Sequence, residues 1–251
     1  MTKLDANSQY IRSVRLRQEQ LPHGTFPFTL PFVRNLNELQ LHPNITYIIG
    51  ENGMGKSTLL EGIAVAYGFN PEGGTLNFNF SSFDSHSPLD QYLQLVRGVE
   101  RPADHFFFRA ESFYNVATNI EELDRQLTSA PPIINSYGGV SLHEQSHGES
   151  FFAVFRERFG GNGLYILDEP EAALSPLRQI SLLARMNELV LEGSQFIIST
   201  HSPIVMAHPL SKILQITEDG MHETTLEETE HYSIMKQFFD DKDRLLHHLF
   251  Q

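Results

Sequence analysis

The hydrophobic pattern changes its period along the chain, and each change predicts an element. Ile45 to Ile49 is a β-branched and aromatic run closed by Gly50, and the helix formers from Lys56 to Tyr67 that follow carry apolar positions at Leu59, Leu60, Ile63 and Ala64. That is a strand, a glycine-rich turn and a helix. Leu76, Phe78 and Phe80 alternate with Asn77, Asn79 and Ser81, the period of a half-buried strand, and His105 to Phe108 predicts another. From Ser112 to Gln145 the chain turns polar, with a helix expected around Thr118 to Leu127 and a loop rich in Pro, Gly and Ser from Ser129 to Ser141. Phe151, Phe152, Val154 and Phe155 predict a helix over Ser150 to Phe159 that stops at Gly160 and Gly161.

Beyond it, Leu164–Leu167, Gln195–Ser199 and Lys212–Ile216 read as fully buried strands, with a helix over Leu177–Leu191. Tyr232 to Phe250 carries apolar residues at Ile234, Met235, Phe238, Leu245, Leu246 and Leu249, which predicts one or two helices packed on the body. The alternation βαβαβ points to an α/β fold with a mainly parallel sheet and right-handed crossovers.

Composition narrows the class. The chain has 251 residues, 40% hydrophobic and 20% charged, which is the balance of a folded globular protein rather than a disordered one. Its longest unbroken apolar runs are five residues, against the ~20 of a membrane span. No apolar segment follows Lys3, so no secretory signal is expected. The absence of cysteine removes disulfides and thiolate metal sites and suits a cytoplasmic protein. The net charge of −13 is uneven: residues 1–50 carry five basic and three acidic side chains, residues 181–251 five and eleven. A broad nucleic-acid surface is therefore not indicated. Arg12, Arg15 and Arg17 are the one basic cluster, either the solvated side of a strand or a local DNA-binding stripe.

Chemistry concentrates in three places. Gly50 to Thr58, GENGMGKST, satisfies GxxxxGK[ST] between a predicted strand and helix, as a phosphate-binding loop requires. Its glycines let successive N–H groups of Asn52, Gly53, Met54 and Gly55 face a phosphate, and the helix dipole adds to them. Lys56 supplies charge for the β- and γ-phosphates, Ser57 a hydroxyl for Mg²⁺, and Thr58 a contact to the α-phosphate. In LYILDEP, four apolar residues bury a strand whose tip delivers Asp168 to the same crevice as a Mg²⁺ ligand, and Glu169 follows as general base for the attacking water. His201 follows the buried run Phe196–Ile198 in FIISTHSP, 33 residues after Asp168, at the tip of a neighbouring strand where it can sense a γ-phosphate. His143 and His147 lack a third ligand at metal spacing, and the acidic stretches Glu227–Glu230 and Asp240–Asp243 read as solvated faces.

Together these residues resemble the ATP-binding-cassette (ABC) ATPases. SHGES, Ser146 to Ser150, is similar to the family's LSGGQ signature and stands 22 residues before Asp168, while EAALSP from Glu171 resembles its D-loop and His201 its switch histidine. The resemblance implies a P-loop fold forming one domain over 1–251, with a core of 1–111 and 150–251 and a small signature subdomain at about 112–149. It also implies a head-to-tail homodimer in which Ser146 and Gly148 of one subunit cover the ATP of the other. The signature departs from the family pattern at Gln145, His147 and Glu149, which predicts slow turnover. The Q-loop glutamine is replaced: Glu111, in RAESF, is its nearest counterpart or an ion-pair partner of Arg109. Phe26 and Phe28 are candidates for adenine stacking. With 87 residues between Thr58 and Ser146 and no sustained heptads, a long coiled-coil arm is absent. The motif wording looks most like the small stand-alone bacterial ATPases near the RecF- and SMC-like branch. Three roles stay open: coupling to DNA maintenance or repair, a nucleotide-gated switch that binds a protein effector, and the ATPase subunit of an ABC transporter.

Overall fold

The computed structural model describes residues 4–5, 8–22, 24–76, 86–125 and 131–250. Five strands form a parallel array: β5 (Asp104–Arg109), β6 (Gly163–Asp168), β7 (Gln195–Ser199), β3 (Ile45–Gly50) and β8 (Ser211–Thr217), in that spatial order, with β9 (Gly220–Thr224) antiparallel at the edge. Successive residues leave opposite faces of a strand, and here they sort into two cores. Tyr47, Phe106, Phe108, Tyr165, Leu167, Phe196 and Ile198 point into one; Ile48, Phe107, Leu164, Ile166 and Ile197 point into the other. Both faces are covered, which is why these strands read as continuous apolar runs.

The second core is closed by α2 (Lys56–Tyr67) and by a three-stranded antiparallel sheet of β2 (Glu38–Gln40), β1 (Ile11–Leu16) and β4 (Leu93–Arg97). The short α1 (Pro31–Asn35) adds Phe32 and Val33 to it. Two buried groups lock the sheets together. The Gln195 side-chain amide donates to the Ile11 carbonyl at 2.8 Å and accepts the Ile11 N–H at 2.9 Å, acting as an extra length of backbone, and the Tyr10 hydroxyl donates to the Gly193 carbonyl at 2.9 Å. This sheet was not foreseen in the pattern. On β1 the exposed positions include Arg12 and Arg15, with Arg17 exposed just beyond, so the basic cluster is the solvated side of a strand. Arg15 pairs with Glu38 at 3.1 Å.

On the opposite face lie α3 (Phe113–Asp124), α4 (His147–Ala153) and α5 (Pro176–Leu191). Two predicted boundaries move. The helix expected at Thr118 starts at Phe113, because Phe113, Val116, Ala117 and Ile120 form one buried stripe at helical spacing. The helix expected at Ser150 starts at His147, where Ser146 caps it, and runs into a π-helical turn over Val154–Arg158 that keeps both Val154 and Phe155 buried. Phe113, Tyr137, Leu142 and Phe151 join the same cluster as the sheet residues, so the segment 112–149 has no core of its own among the described residues.

The C-terminal expectation needs correction. The pattern gives two helices, α6 (Glu230–Asp240) and α7 (Lys242–Leu249), but neither contains a buried residue, and Ile234, Met235, Phe239, Leu249 and Phe250 are exposed. The apolar positions make an amphipathic stripe that none of the described residues buries. The strand predicted from Leu76 to Ser81 falls largely outside the described residues. Among the described residues no helix is long and apolar enough to cross a membrane.

Candidate nucleotide site

The strand tips of the parallel sheet meet the loop after β3. The backbone is left-handed at Gly53 (φ +84°) and Gly55 (φ +91°), and a Cβ at Gly55 would stand 2.7 Å from Leu30 Cδ1 and Phe32 Cε1. Only glycine combines that backbone with that approach. Helix α2 starts immediately after it. Asn52 and Gly53 are exposed, and Met54, Gly55, Ser57 and Thr58 partly so. Lys56 is buried, its Nζ donating to the carbonyls of Gly50 at 2.9 Å and Glu51 at 3.1 Å. Burial lowers its pKa, against the pull of Glu169, Asp168 and Glu171, so three carboxylates converge on one ammonium.

Asp168 is the last residue of β6 and is buried. It accepts the Ser199 hydroxyl at 2.5 Å and a hydrogen bond from Ser57, and the Arg109 guanidinium lies 3.9 Å away. Burial nevertheless pushes its carboxyl above the usual range. Parallel register explains the set: Arg109 of β5 and Ser199 of β7 are the residues paired with Asp168. Arg109 also binds Glu61 at 2.6 Å and approaches Glu111 at 3.6 Å, where Glu111 is 87% exposed. Glu111 therefore does sit on Arg109, at the rim of a cavity of about 310 Å³ that also holds Glu61, Glu72 and His86.

Glu169 adopts φ +51°, in the left-handed region rare for a side-chain-bearing residue. Its N–H is shared between the Ser199 carbonyl and hydroxyl, each 3.1 Å away. This turn places Glu169 Oε1 3.6 Å from His201 Nε2. His201 in turn donates its backbone N–H to Glu171 Oε1 at 2.6 Å, and its Nδ1 lies 3.0 Å from Nε2 of His231. Burial, then Lys56 and His231, lower the His201 pKa to about 4. Burial also raises that of Glu171. Lys56, Ser57, Asp168, Glu169 and His201 thus meet in one crevice at the carboxyl ends of parallel strands, the place where open α/β sheets bind ligands.

The signature segment lies elsewhere. Ser146 caps α4, and Glu149 Oε2 takes both the Ser146 N–H at 3.1 Å and its hydroxyl at 2.6 Å. A Cβ on Gly148 would fall 2.6 Å from the Ala173 carbonyl and 2.8 Å from Arg178 Nη1, so this glycine packs against the segment that follows the crevice acids. Phe28 is buried edge-on against Tyr92 at 5.0 Å, which takes it out of contention for adenine, whereas Phe26 is 64% exposed.

Sequence reasoning missed four contributors to the crevice. Ser199 and Arg109 could have been found from strand alignment, since both end strands adjacent to that of Asp168. Glu171 was read only as part of the D-loop. His231, directly after the acidic stretch Glu227–Glu230, gave no signal.

The family described as "AAA domain" matches residues 26–127, and a second AAA family, whose description adds AbiEii toxin and type IV TA system, matches residues 84–207. The cobalt import ATP-binding protein CbiO of Salmonella typhimurium is 24% identical over 202 residues, covering 76% of this chain and 73% of that protein. Among solved structures, cbiO1 of Clostridium perfringens aligns over 97% of this chain and 99% of its own with a TM-score of 0.47 and 16% identity. The SMC head domain of Thermotoga maritima aligns over 86% and 98% with a TM-score of 0.42 and 15% identity. The fold and the loop after β3 define a P-loop nucleotide-binding protein. The matches indicate an ATPase, similar in sequence to the ATP-binding proteins of ABC transporters.

Proposed function

We propose that this chain hydrolyses MgATP in a head-to-tail homodimer that closes on the nucleotide. The observation that carries the reading is the convergence of Lys56, Asp168, Glu169 and His201 on one crevice. The loop from Asn52 to Thr58 holds the phosphates with Lys56 as the charged contact. Oxygen donors of Ser57 and Asp168 would hold Mg²⁺; one carboxylate and one hydroxyl beside substrate phosphates suit that ion, which keeps several waters. The ion supplies charge neutralisation of the phosphates. Glu169 accepts the proton of the attacking water, and His201 donates Nε2–H toward the γ-phosphate oxygens. The half-exposed Glu169 leaves room for that water.

Ser146 and Gly148 of a second subunit complete the site in this reading, with 112–149 acting as the signature subdomain of the single domain 1–251. Exposure of Ser146 supports it. Coupling to DNA maintenance draws on the motif wording alone, since the basic cluster is the solvated side of β1. A second reading, the ATPase subunit of a transporter, draws on the relative that serves cobalt import. A third, a switch that binds a protein effector, draws on the uncovered apolar side of α6.

Steady-state MgATP hydrolysis tests the core, with Glu169→Gln expected to lose roughly 10²-fold or more while still binding ATP. Equal turnover by the variant would remove Glu169 from its role. Linear double-stranded DNA that stimulates turnover at low salt and not at high salt would support the DNA reading; indifference to DNA at both salts would reject it.

A further inference from the structure

We propose that His231, at the start of α6, is a positioning residue that holds the ring of His201 with its Nε2 proton facing Glu169. The inference rests on the placement of His201 in the hydrolytic site and adds a residue from the C-terminal helices to it.

The argument is a count of protons. His201 Nδ1 and His231 Nε2 are 3.0 Å apart, a hydrogen-bond distance that requires one proton on that line. There are two ways to place it. If His201 Nδ1 carries the proton, His201 Nε2 is left with a bare lone pair 3.6 Å from the Glu169 carboxylate, in a buried spot without another hydrogen-bond partner among the described residues. Lone pair and anion repel. If His231 Nε2 carries it, His201 has its proton on Nε2, pointing at the carboxylate, and the contact becomes attractive. Electrostatics at this distance and burial selects the second arrangement.

The charged groups around His201 are consistent with a neutral ring of fixed tautomer. Lys56 opposes a second proton, Glu171 is engaged through the His201 backbone N–H, and Glu169 faces Nε2. That backbone bond fixes where the chain of His201 runs but leaves the ring free to rotate about its side-chain bonds. His231 is the group that stops it.

The position of His231 is itself held. Thr229, fully buried, caps α6 by accepting the Tyr232 N–H at 3.3 Å and donates its hydroxyl to the Leu226 carbonyl at 2.7 Å. His231 forms a wall shared by two cavities. One, of about 220 Å³, has Gly50, Glu51 and Met54 of the phosphate loop on its far side, and the other, of about 940 Å³, runs along the apolar side of α6. The first turn of a helix with no buried residue is therefore anchored beside the loop that follows β3.

Two measurements on the full chain decide the matter. Long-range proton–nitrogen spectra of ¹⁵N-histidine-labelled protein are expected to show His201 in the Nε2–H form, and His231→Ala to convert it to a mixture of tautomers. Hydrolysis should follow: His231→Ala lowers kcat roughly tenfold, as the competent ring orientation falls to about a tenth of the population, with KM for MgATP within about twofold. His231→Gln, whose amide can donate to Nδ1, should recover most of the rate. Combining His201→Ala with His231→Ala should cost no more than His201→Ala alone, because the two act as one unit.

An Nδ1–H form of His201 in the wild type, or an unchanged kcat in His231→Ala beside an impaired His201→Ala, overturns the positioning role and leaves the hydrolytic reading intact. Wild-type turnover by His201→Ala would instead overturn the placement of His201 in the reaction, and the inference with it.

Discussion

The nucleotide crevice and the signature segment use similar residues under opposite conditions. In the crevice, Lys56 and Asp168 are buried, and the partners of Asp168 come from far along the chain: Ser199 and Arg109 reach it from neighbouring strands. In the signature, Ser146 and Glu149 are exposed and bond to each other across three residues. A site assembled by tertiary contacts is organised before ligand arrives, and disturbing one member leaves others buried without compensation. A segment held by a local turn costs little to rearrange, as the proposed contact with a second subunit would require.

The largest effect should therefore come from the crevice. Lys56→Ala removes the one ammonium on which Asp168, Glu169 and Glu171 converge and is expected to lower turnover roughly 10²- to 10³-fold. Steady-state hydrolysis and equilibrium ATP binding measure it. Near-normal turnover would mean that the crevice does not hold the phosphates, and the contrast with the signature would collapse.

Gly148→Ala probes the point where the two regions touch. The added Cβ meets the Ala173 carbonyl at 2.6 Å and Arg178 Nη1 at 2.8 Å. The arginine can swing away, but the carbonyl cannot, so the variant should lose roughly 1–3 kcal/mol of stability in urea unfolding whether or not ATP is present. An unfolding midpoint equal to the wild type, combined with lost ATP-dependent association, would assign this glycine to the second subunit's nucleotide and not to packing within the chain.

Acid should act on the buried regions more than on the signature. His42, His105, His201 and His208 all have pKa values lowered chiefly by burial, with His201 at about 4. The unfolded chain then binds protons that the native state refuses, so stability rises with pH across this window and is lost as pH falls from about 6.5 toward 4. The raised carboxyl pKa values of Asp168 and Glu171 work in the opposite sense, since protonation relieves their burial. Urea midpoints from pH 7 to 4.5 should decline in the wild type. The decline should be shallower in His201→Gln, which no longer refuses a proton at that position; an identical slope would show that the His201 ring is not buried as a neutral group.

What was legible in the sequence follows the same divide. The strand, loop and helix from Ile45 to Tyr67 could be read because a doubly covered strand is apolar throughout, and a phosphate loop needs glycines at fixed spacing. The tips of β6 and β7 followed in the same way, delivering Asp168 and His201. The three-stranded sheet was not legible. Its strands are short, β2 having three residues, and β1 has two consecutive buried positions, Ser13 and Val14, that break the alternation expected of a half-buried strand. Nor was the exposure of α6 legible: Ile234, Met235 and Phe238 give the periodicity of a packed helix, and periodicity shows which side is apolar without showing what covers it. The His201–His231 contact joins residues from separate elements whose proximity depends on where α6 starts, a position set by the Thr229 cap.

The smallest effect expected is at Glu149. Its carboxylate holds the Ser146 N–H and hydroxyl, the same donors that a γ-phosphate from a second subunit would need, and Arg178 is 3.8 Å away and half-exposed, too loose a partner to draw it off. On the homodimer reading, an arriving phosphate would have to displace that carboxylate from the same groups. Glu149→Gln keeps an oxygen for the cap and removes the charge, so ATP-driven association, measured by sedimentation in a Glu169→Gln background, should tighten about two- to fivefold. The isolated chain should become slightly less stable, because a carboxylate in the first turn favours the helix N-terminus. Tighter association with lower stability is a combination that a purely structural cap does not produce. Equal association in both proteins would place the phosphate path away from Ser146, and leave the signature segment as a cap for α4 alone.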